Sequence, residues 1–349
     1  MSVTKNYDAA MKINWEPLRQ IFQDHQSFVI TSHVRPDADA IGSEIGLANL
    51  LESLGKSVRI INTSATPANL YFLDPDRKCK QLGSAAKAEE ITQAQVHIIV
   101  DTSSWAQLSD VGKVMRDSSA LRVVIDHHVS CDKLDATEFK DTTSEATGAL
   151  IFQLSQALGI TVDAVAARAL FTAIATDTGW FRFAAVSAET MRIAGSLIDL
   201  GASPPAIYRE LYEQASLAKM HLVGRALNRM QLDCDGELAY TTIEWSEFAE
   251  TGAVSADTED LVNECLKITG TKGAFIAIEQ QNRQVKISFR SRTDALNVAS
   301  VAEQFTGGGH KLAAGATLPA PFAAAVAKVL EAMKTALIAA RPTTTEAKA

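Results

Sequence analysis

Four short stretches of this chain gather the side chains that can do chemistry. They are His33-Val34-Arg35-Pro36-Asp37-Ala38-Asp39, the single Asp101, Asp126-His127-His128, and Asp177 within Ala175-Thr176-Asp177-Thr178-Gly179. His33, Asp37, Asp39, Asp101, His127 and Asp177 together supply four carboxylates and two imidazoles, enough for two divalent ions that share one carboxylate. Mixed oxygen and nitrogen donors without a thiolate suit Mn²⁺, Mg²⁺ or Co²⁺ rather than a structural zinc. Two such ions about 3.5–4 Å apart are the usual apparatus of phosphoester hydrolysis. They lower the pKa of a bridging water and clamp the phosphoryl oxygens. In Asp126-His127-His128 adjacent side chains diverge. His127 is therefore the natural ligand, Asp126 a partner that fixes an imidazole, and His128 a substrate contact. Each stretch alone also has a plainer reading. His33–Asp39 can be an Asx turn in which Asp39 caps the next helix. Asp101 can be a strand-end turn residue, and Asp126–His128 a solvated loop. Asp177 can be a helix C-terminal turn, although an acid there faces the unfavourable end of the dipole.

Elements that bring the four stretches together are legible around them. Phe28–Thr31, Val58–Ile61, Val96–Val100 and Arg122–Ile125 read as buried strands. Helical spacing covers 40–54, 145–158, 162–176 and 187–200. Continuous Val/Ile runs alternating with helices predict a doubly wound parallel sheet covered on both faces. Ligands of such a sheet collect beyond the carboxyl ends of its strands, where three of the four stretches lie. Further on, Ser203-Pro204-Pro205 can open a helix, and 204–231 reads as helical with polar interruptions. From Leu232 the pattern becomes hairpin-like, with strands at 238–243, 275–279 and 284–289. A helix near 297–305, a glycine loop, a strand near 315–318 and a final alanine-rich helix follow. The expected domains are 1–202, a helical connector 203–231, a smaller mixed-sheet α/β domain 232–340 and a disordered tail 341–349.

Composition removes whole classes of function. At roughly 150 residues per domain, 349 residues make about two domains. Apolar residues at 47% and charged residues at 21% are globular values, not those of a disordered chain. A net charge of −8 argues against a life on long duplex nucleic acid. Aromatics at 6% leave few base-stacking platforms. Cys79, Cys131, Cys234 and Cys265 have no C-x-x-C spacing and read as reduced thiols of a cytoplasmic protein. No apolar stretch reads as a signal peptide or a membrane span.

The ordered series H-V-R-P-D-A-D-A, V-D-T-S, D-H-H and T-D-T-G resembles the four motifs of the DHH phosphoesterase superfamily. Ser288-Phe289-Arg290-Ser291-Arg292 and Gly307-Gly308-Gly309-His310-Lys311-Leu312-Ala313-Ala314-Gly315 resemble the signatures of its DHH-associated substrate-binding domain. The resemblance covers about residues 15–340 and is nearest to bifunctional oligoribonucleases and pAp phosphatases of the NrnA type. It implies that His33, Asp37 and Asp101 hold one metal ion. Asp39, Asp101, His127 and Asp177 would hold the other, with His128 on the scissile phosphate. It implies that Arg290 and His310 bind the non-scissile phosphate or terminal nucleotide. Arg292 is a further candidate for substrate binding, although residues 290 and 292 can equally be a solvated strand face. Read physically, Gly307-Gly308-Gly309 lets backbone N–H groups approach an anion. A bare glycine run is also a flexible turn.

The expected function is Mn²⁺-dependent hydrolysis of short oligoribonucleotides and of 3′-phosphoadenosine 5′-phosphate (pAp), by water that two metal ions activate. A short substrate offers few phosphates, so an acidic protein can hold it without releasing many counterions. Members of the family often pair, so a homodimer is expected. Two other readings compete. One is a phosphodiesterase of cyclic or linear dinucleotides such as c-di-AMP, pApA or pGpG. The other is a regulator that binds metal and nucleotide without turnover, against which the complete ligand set argues. Trp180, Phe181 and Phe183 can stack on a base or pack in the core.

Overall fold

The computed structural model describes residues 12–341. The chain divides into two compact units, Met1–Gln214 and Ala215–Ala349. The expected tail lies almost wholly outside the described residues.

The first unit is a six-stranded, wholly parallel sheet in the order β3-β2-β1-β4-β5-β6. Its strands are β1 (Ser27–Thr31), β2 (Ser57–Asn62), β3 (Cys79–Gln81), β4 (Val96–Val100), β5 (Leu121–Asp126) and β6 (Thr137–Lys140). The edge strands β3 and β6 escaped the sequence reading because they are short and polar. Helices α1 (Glu16–Asp24), α2 (Ala38–Ser53), α3 (Ala88–Thr92) and α4 (Trp105–Arg116) lie in the first part. They are followed by α5 (Thr147–Leu158), α6 (Ala164–Asp177), α7 (Ala188–Asp199) and α8 (Pro204–Tyr212). Alternate strand residues feed two cores. Phe28, Ile30, Ile98, Val100, Val123 and Ile125 pack on one side with α2, α5 and α6. Val29, Ile99 and Val124 pack on the other with Leu108, Val111 and Met115 of α4. This is the doubly covered sheet that the Val/Ile runs predict.

Strand order reverses between β1 and β4. Loops at that switch point open a crevice beyond the strand ends. His33 follows β1 and Asp101 follows β4, so both sit at its mouth. Helix α2 is buried nearly all round and packs against α6. The contact is close because Gly42 has no side chain. A Cβ there would lie 2.4 Å from the Ala169 carbonyl oxygen.

The second unit carries α9 (Leu217–Asn228), α10 (Trp245–Thr251), α11 (Val262–Cys265), α12 (Val298–Glu303) and α13 (Phe322–Ala339). Its mixed sheet runs β11-β12-β10-β9-β8-β7. The strands are β7 (Gln231–Asp233), β8 (Leu238–Ile243), β9 (Gly273–Glu279), β10 (Val285–Ser291), β11 (Gly308–His310) and β12 (Ala313–Leu318). Only β8 and β9 pair in parallel. The division between units falls inside segment 203–231. That segment is two helices, α8 in the first unit and α9 in the second, separated around Ser216, which caps α9. No described helix is long and apolar enough to cross a membrane.

Candidate metal centre

Six side chains from five strand or helix ends meet at the switch point. The Asp101 carboxylate is central and 2% exposed. Its Oδ2 lies 3.4 Å from His33 Nε2, and its Oδ1 lies 3.7 Å from His127 Nε2. His33 Nε2 is also 3.8 Å from Asp37 Oδ1. His127 Nε2 is 3.8 Å from Asp39 Oδ2 and 3.5 Å from Asp177 Oδ2. Ligand atoms of His33, Asp37 and Asp101 lie within 4.8 Å of one another, as do those of Asp39, His127 and Asp177. Asp101, His127 and His128 make a third such group. Asp101 thus faces both sides of the cluster with different oxygens. It adopts a left-handed backbone, φ 62°, uncommon for a residue with a side chain.

Both ligand-type histidines are oriented from behind. His33 Nδ1 is 3.0 Å from the Val34 carbonyl oxygen, and His127 Nδ1 is 3.2 Å from that of Ser144. A proton on each Nδ1 satisfies these carbonyls and leaves both Nε2 lone pairs to the cluster. His128 differs. Its Nδ1 is bonded to Asp126 Oδ1 at 2.9 Å, so Asp126 fixes His128. Asp37 and Asp39 do not share a face as an extended i, i+2 pair would. Asp37, not Asp39, caps α2, accepting from the Asp39 and Ala40 N–H groups at 3.0 Å. Asp39 lies in the first helical turn and joins the other group.

Sequence reasoning missed the residues that hold the ligands. The first two amides of α5 point at Asp39: Thr147 N donates to Oδ2 at 2.8 Å and Gly148 N to Oδ1 at 2.9 Å. The positive end of that helix thus faces a buried carboxylate. Thr147 Oγ1 donates to Asp101 Oδ1 at 2.9 Å. Lys140, at the end of β6, pairs with Asp126 Oδ2 at 3.1 Å and donates to Ser103 Oγ and the Ser130 carbonyl. Thr-Gly at a helix start was the one signal that could have marked α5 as an anion cradle.

Electrostatics shows what this cluster lacks. Burial, then the charges of Asp101 and Asp177, hold the Asp39 carboxyl well above its ordinary range. Burial and nearby carboxylates raise Asp177 to about 6, against the opposing pull of His127. Burial opposes charge on His33, but hydrogen bonds to Asp101 and Asp37 prevail and raise it to about 11. Asp126 goes the other way, to about 2, because hydrogen bonds from His128 and Ser103 overcome its burial. Among the described residues no Lys or Arg lies in ion-pair range of Asp37, Asp39, Asp101 or Asp177; only histidines do. Crowded carboxylates without a fixed cation, joined by imidazoles presenting Nε2, are the donor set that divalent ions fit.

In the second unit, Arg290, Ala313 and His310 lie directly opposite one another across β10, β12 and β11. Cross-strand partners share a face, so Arg290 and His310 do too. Arg290 is braced by Nε donating to Asn263 Oδ1 at 3.1 Å. The glycine loop is an edge strand for most of its length, not a free turn. Gly308, Gly309 and His310 pair with β12, and a Cβ on Gly307 would lie 2.2 Å from the Gly315 carbonyl oxygen. Arg292 lies beyond the end of β10 and is exposed.

Residues 27–175 match the model of the DHH family N-terminal domain, and residues 235–339 match that of the DHHA1 domain. The chain thus pairs a DHH-family domain with a DHHA1 domain, and it is a hydrolase. It is 26% identical over 297 residues to the bifunctional oligoribonuclease and PAP phosphatase NrnA of Bacillus subtilis strain 168. That alignment covers 84% of this chain and 90% of that one. It is 27% identical to the protein of the same name from Thermus thermophilus, covering 92% and 94%. An exopolyphosphatase-related protein from Bacteroides fragilis has the same fold, with a TM-score of 0.83 at 25% identity over 94% of this chain and 98% of that one. His33, Asp37, Asp39, Asp101, His127 and His128 fall within the DHH match and Asp177 two residues beyond it, while Arg290 and His310 fall within the DHHA1 match. The DHH family implies divalent metal ions, and the donor set fits them.

Proposed function

We propose that this protein is a Mn²⁺-dependent phosphoesterase that hydrolyses short oligoribonucleotides and pAp. The observation that carries the reading is Asp101, whose two carboxylate oxygens face two histidines in two separate ligand groups. His33, Asp37 and Asp101 would hold one ion, and Asp39, Asp101, His127 and Asp177 the other. Bound there, the ions supply an activated water and neutralise charge on the phosphoryl oxygens. Hydrogen bonding from α5 and Thr147 fixes the Asp39 and Asp101 oxygens, so little reorganisation accompanies binding. His128 has its Nδ1 engaged by Asp126, which raises its pKa. An imidazolium held in this way would donate from Nε2 to a phosphoryl oxygen.

In the DHHA1 domain, Arg290 and His310 would bind the non-scissile phosphate or terminal nucleotide. Backbone approach at Gly307, Gly308 and Gly309 would help, with Arg292 beside them. The substrate class is supported by the names of the Bacillus and Thermus relatives, which align along nearly their whole length. The charge of −8 favours substrates with few phosphates.

The test is hydrolysis of pAp and of a 5′-labelled RNA dinucleotide, with Mn²⁺ and with chelator, by wild type and Asp101→Ala. Turnover of both that needs metal and Asp101 is expected. A protein that releases no mononucleotide and leaves pAp untouched does not have this function.

A further inference from the structure

Asp177 is followed closely by three large aromatic residues, and they go to different places. Trp180 and Phe181 pack on the core around Phe171, with ring centroids 6.3 and 5.8 Å from it. Phe183 turns out. It is 55% exposed, the only exposed phenylalanine among the described residues.

The loop that presents it is tightly built. Gly179, Trp180 and Phe181 are consecutive left-handed residues, with φ 55°, 62° and 61°. Trp180 N donates to the Ala175 carbonyl at 2.6 Å, and the N–H groups of Arg182 and Phe183 both donate to the Thr178 carbonyl at 3.0 Å. Thr178 Oγ1 accepts from Phe181 N at 3.0 Å. Arg182 Nε donates to the Gly179 carbonyl at 2.6 Å. The Phe183 ring lies on Gly179, where a Cβ would come within 2.4 Å of the ring Cζ. An open aromatic ring is thus seated on backbone two residues from Asp177, whose carboxylate is 3.5 Å from His127 Nε2.

We propose that Phe183 is the platform on which a nucleobase of the substrate stacks, a reading that rests on the nucleotide substrates proposed above. A ring seated on backbone, more than half exposed and with the Arg182 guanidinium 6.0 Å from its centroid, still offers apolar surface to a flat partner. Aromatic stacking of this kind tolerates any base, which suits hydrolysis of short RNA regardless of sequence. Phe183 touches the base and takes no part in the chemistry. Gly179 is the residue that lets the ring lie flat against the loop.

The experiment compares wild type with Phe183→Ala, Phe183→Leu and Phe183→Trp. Phe183→Leu keeps an apolar cover on Gly179 and guards against misfolding. Ligands are diadenylate and the same dinucleotide with its 5′ or 3′ base removed. Binding is measured by calorimetry in chelator, and KM and kcat in Mn²⁺. Phe183→Ala and Phe183→Leu should weaken diadenylate binding and raise its KM by at least about fivefold, the low end of a lost base stack. One of the abasic dinucleotides should be indifferent to the substitution, and Phe183→Trp should bind diadenylate at least as well as wild type. Equal diadenylate binding by wild type and Phe183→Leu overturns the platform. Equal losses on diadenylate and both abasic ligands overturn it too, as does a wild type that binds no dinucleotide. A wild type that binds but hydrolyses neither dinucleotide nor pAp overturns the proposed function instead, and the binding comparison still decides Phe183.

Discussion

Asp101 can face two ligand groups because another residue restrains it. Thr147 Oγ1 holds its Oδ1 at 2.9 Å in a fully buried contact. Thr147→Val keeps the shape and removes the donor. Partners of this kind set ligand orientation, so Mn²⁺ affinity should fall roughly 10–100-fold, with Thr147→Ser restoring it. Calorimetric titration decides, and unchanged affinity in Thr147→Val would remove the residue from the site. A second buried acid lies outside the cluster. Burial raises Glu44 to about 7 despite the hydrogen bond from Asn62 Nδ2 at 2.9 Å. Its unfolded counterpart titrates near 4.5. The folded state therefore holds the extra proton between these values. Its contribution to stability is complete below about 4.5 and is lost as pH rises through about 7. Glu44→Gln should abolish that decline. Relative to wild type it should gain on the order of 3 kcal/mol between acid and pH 8. Urea melts of metal-free protein across that range give the answer, and parallel curves would refute it. His33, Asp101 and Asp126-His127-His128 were legible as a chemical set because their types and order are unusual beside buried strands. Thr147, Lys140 and Glu44 were not, since a lone Thr, Lys or Glu has no local signal. Their roles arise from partners 46, 14 and 18 residues away.

At the level of elements, the site depends on how close α2, α5 and α6 can come. Asp39 opens α2, Asp177 ends α6, and the first amides of α5 hold Asp39. Gly42→Ala would push a Cβ to 2.4 Å from the Ala169 backbone oxygen, so α6 must shift. The clash should outweigh the better helix propensity of alanine and cost about 1–3 kcal/mol. Metal affinity should fall with it, because the shift separates Asp39 from Asp177. Gly195 in α7 is the control, since a Cβ there meets nothing within 4 Å. Gly195→Ala should instead stabilise by up to about 1 kcal/mol. Thermal melts of the two variants should therefore move in opposite directions.

Across the whole molecule, each unit has its own hydrophobic core, and the metal cluster lies wholly in the first. Ligand binding stabilises only the unit that folds around it. Mn²⁺ at about 100 times its dissociation constant should add roughly 2.7 kcal/mol to the DHH unit. Scanning calorimetry should show that transition rise while the DHHA1 transition stays. Binding should also release protons at pH 7. His33, raised to about 11, and the strongly raised Asp39 hold protons that a cation must displace. Apparent affinity should therefore grow with pH. The heat of Mn²⁺ binding should vary with buffer ionisation enthalpy, and a heat independent of buffer would count against these residues as ligands.

By itself the sequence determined the parallel sheet, its covering helices and the ligand-type residues at their ends. Runs of buried Val and Ile, helical spacing and clustered acids and histidines are local patterns, readable over a few residues. Strand order was decided only in three dimensions. It places β1 beside β4 and so brings Asp101 to His33. Tertiary structure also decided that Asp37 caps α2 while Asp39 turns to the other group, and that the glycine run pairs as an edge strand. It sent Trp180 and Phe181 inward and Phe183 outward. These outcomes depend on backbone hydrogen bonds and close approaches between segments far apart in the chain, which no local pattern encodes.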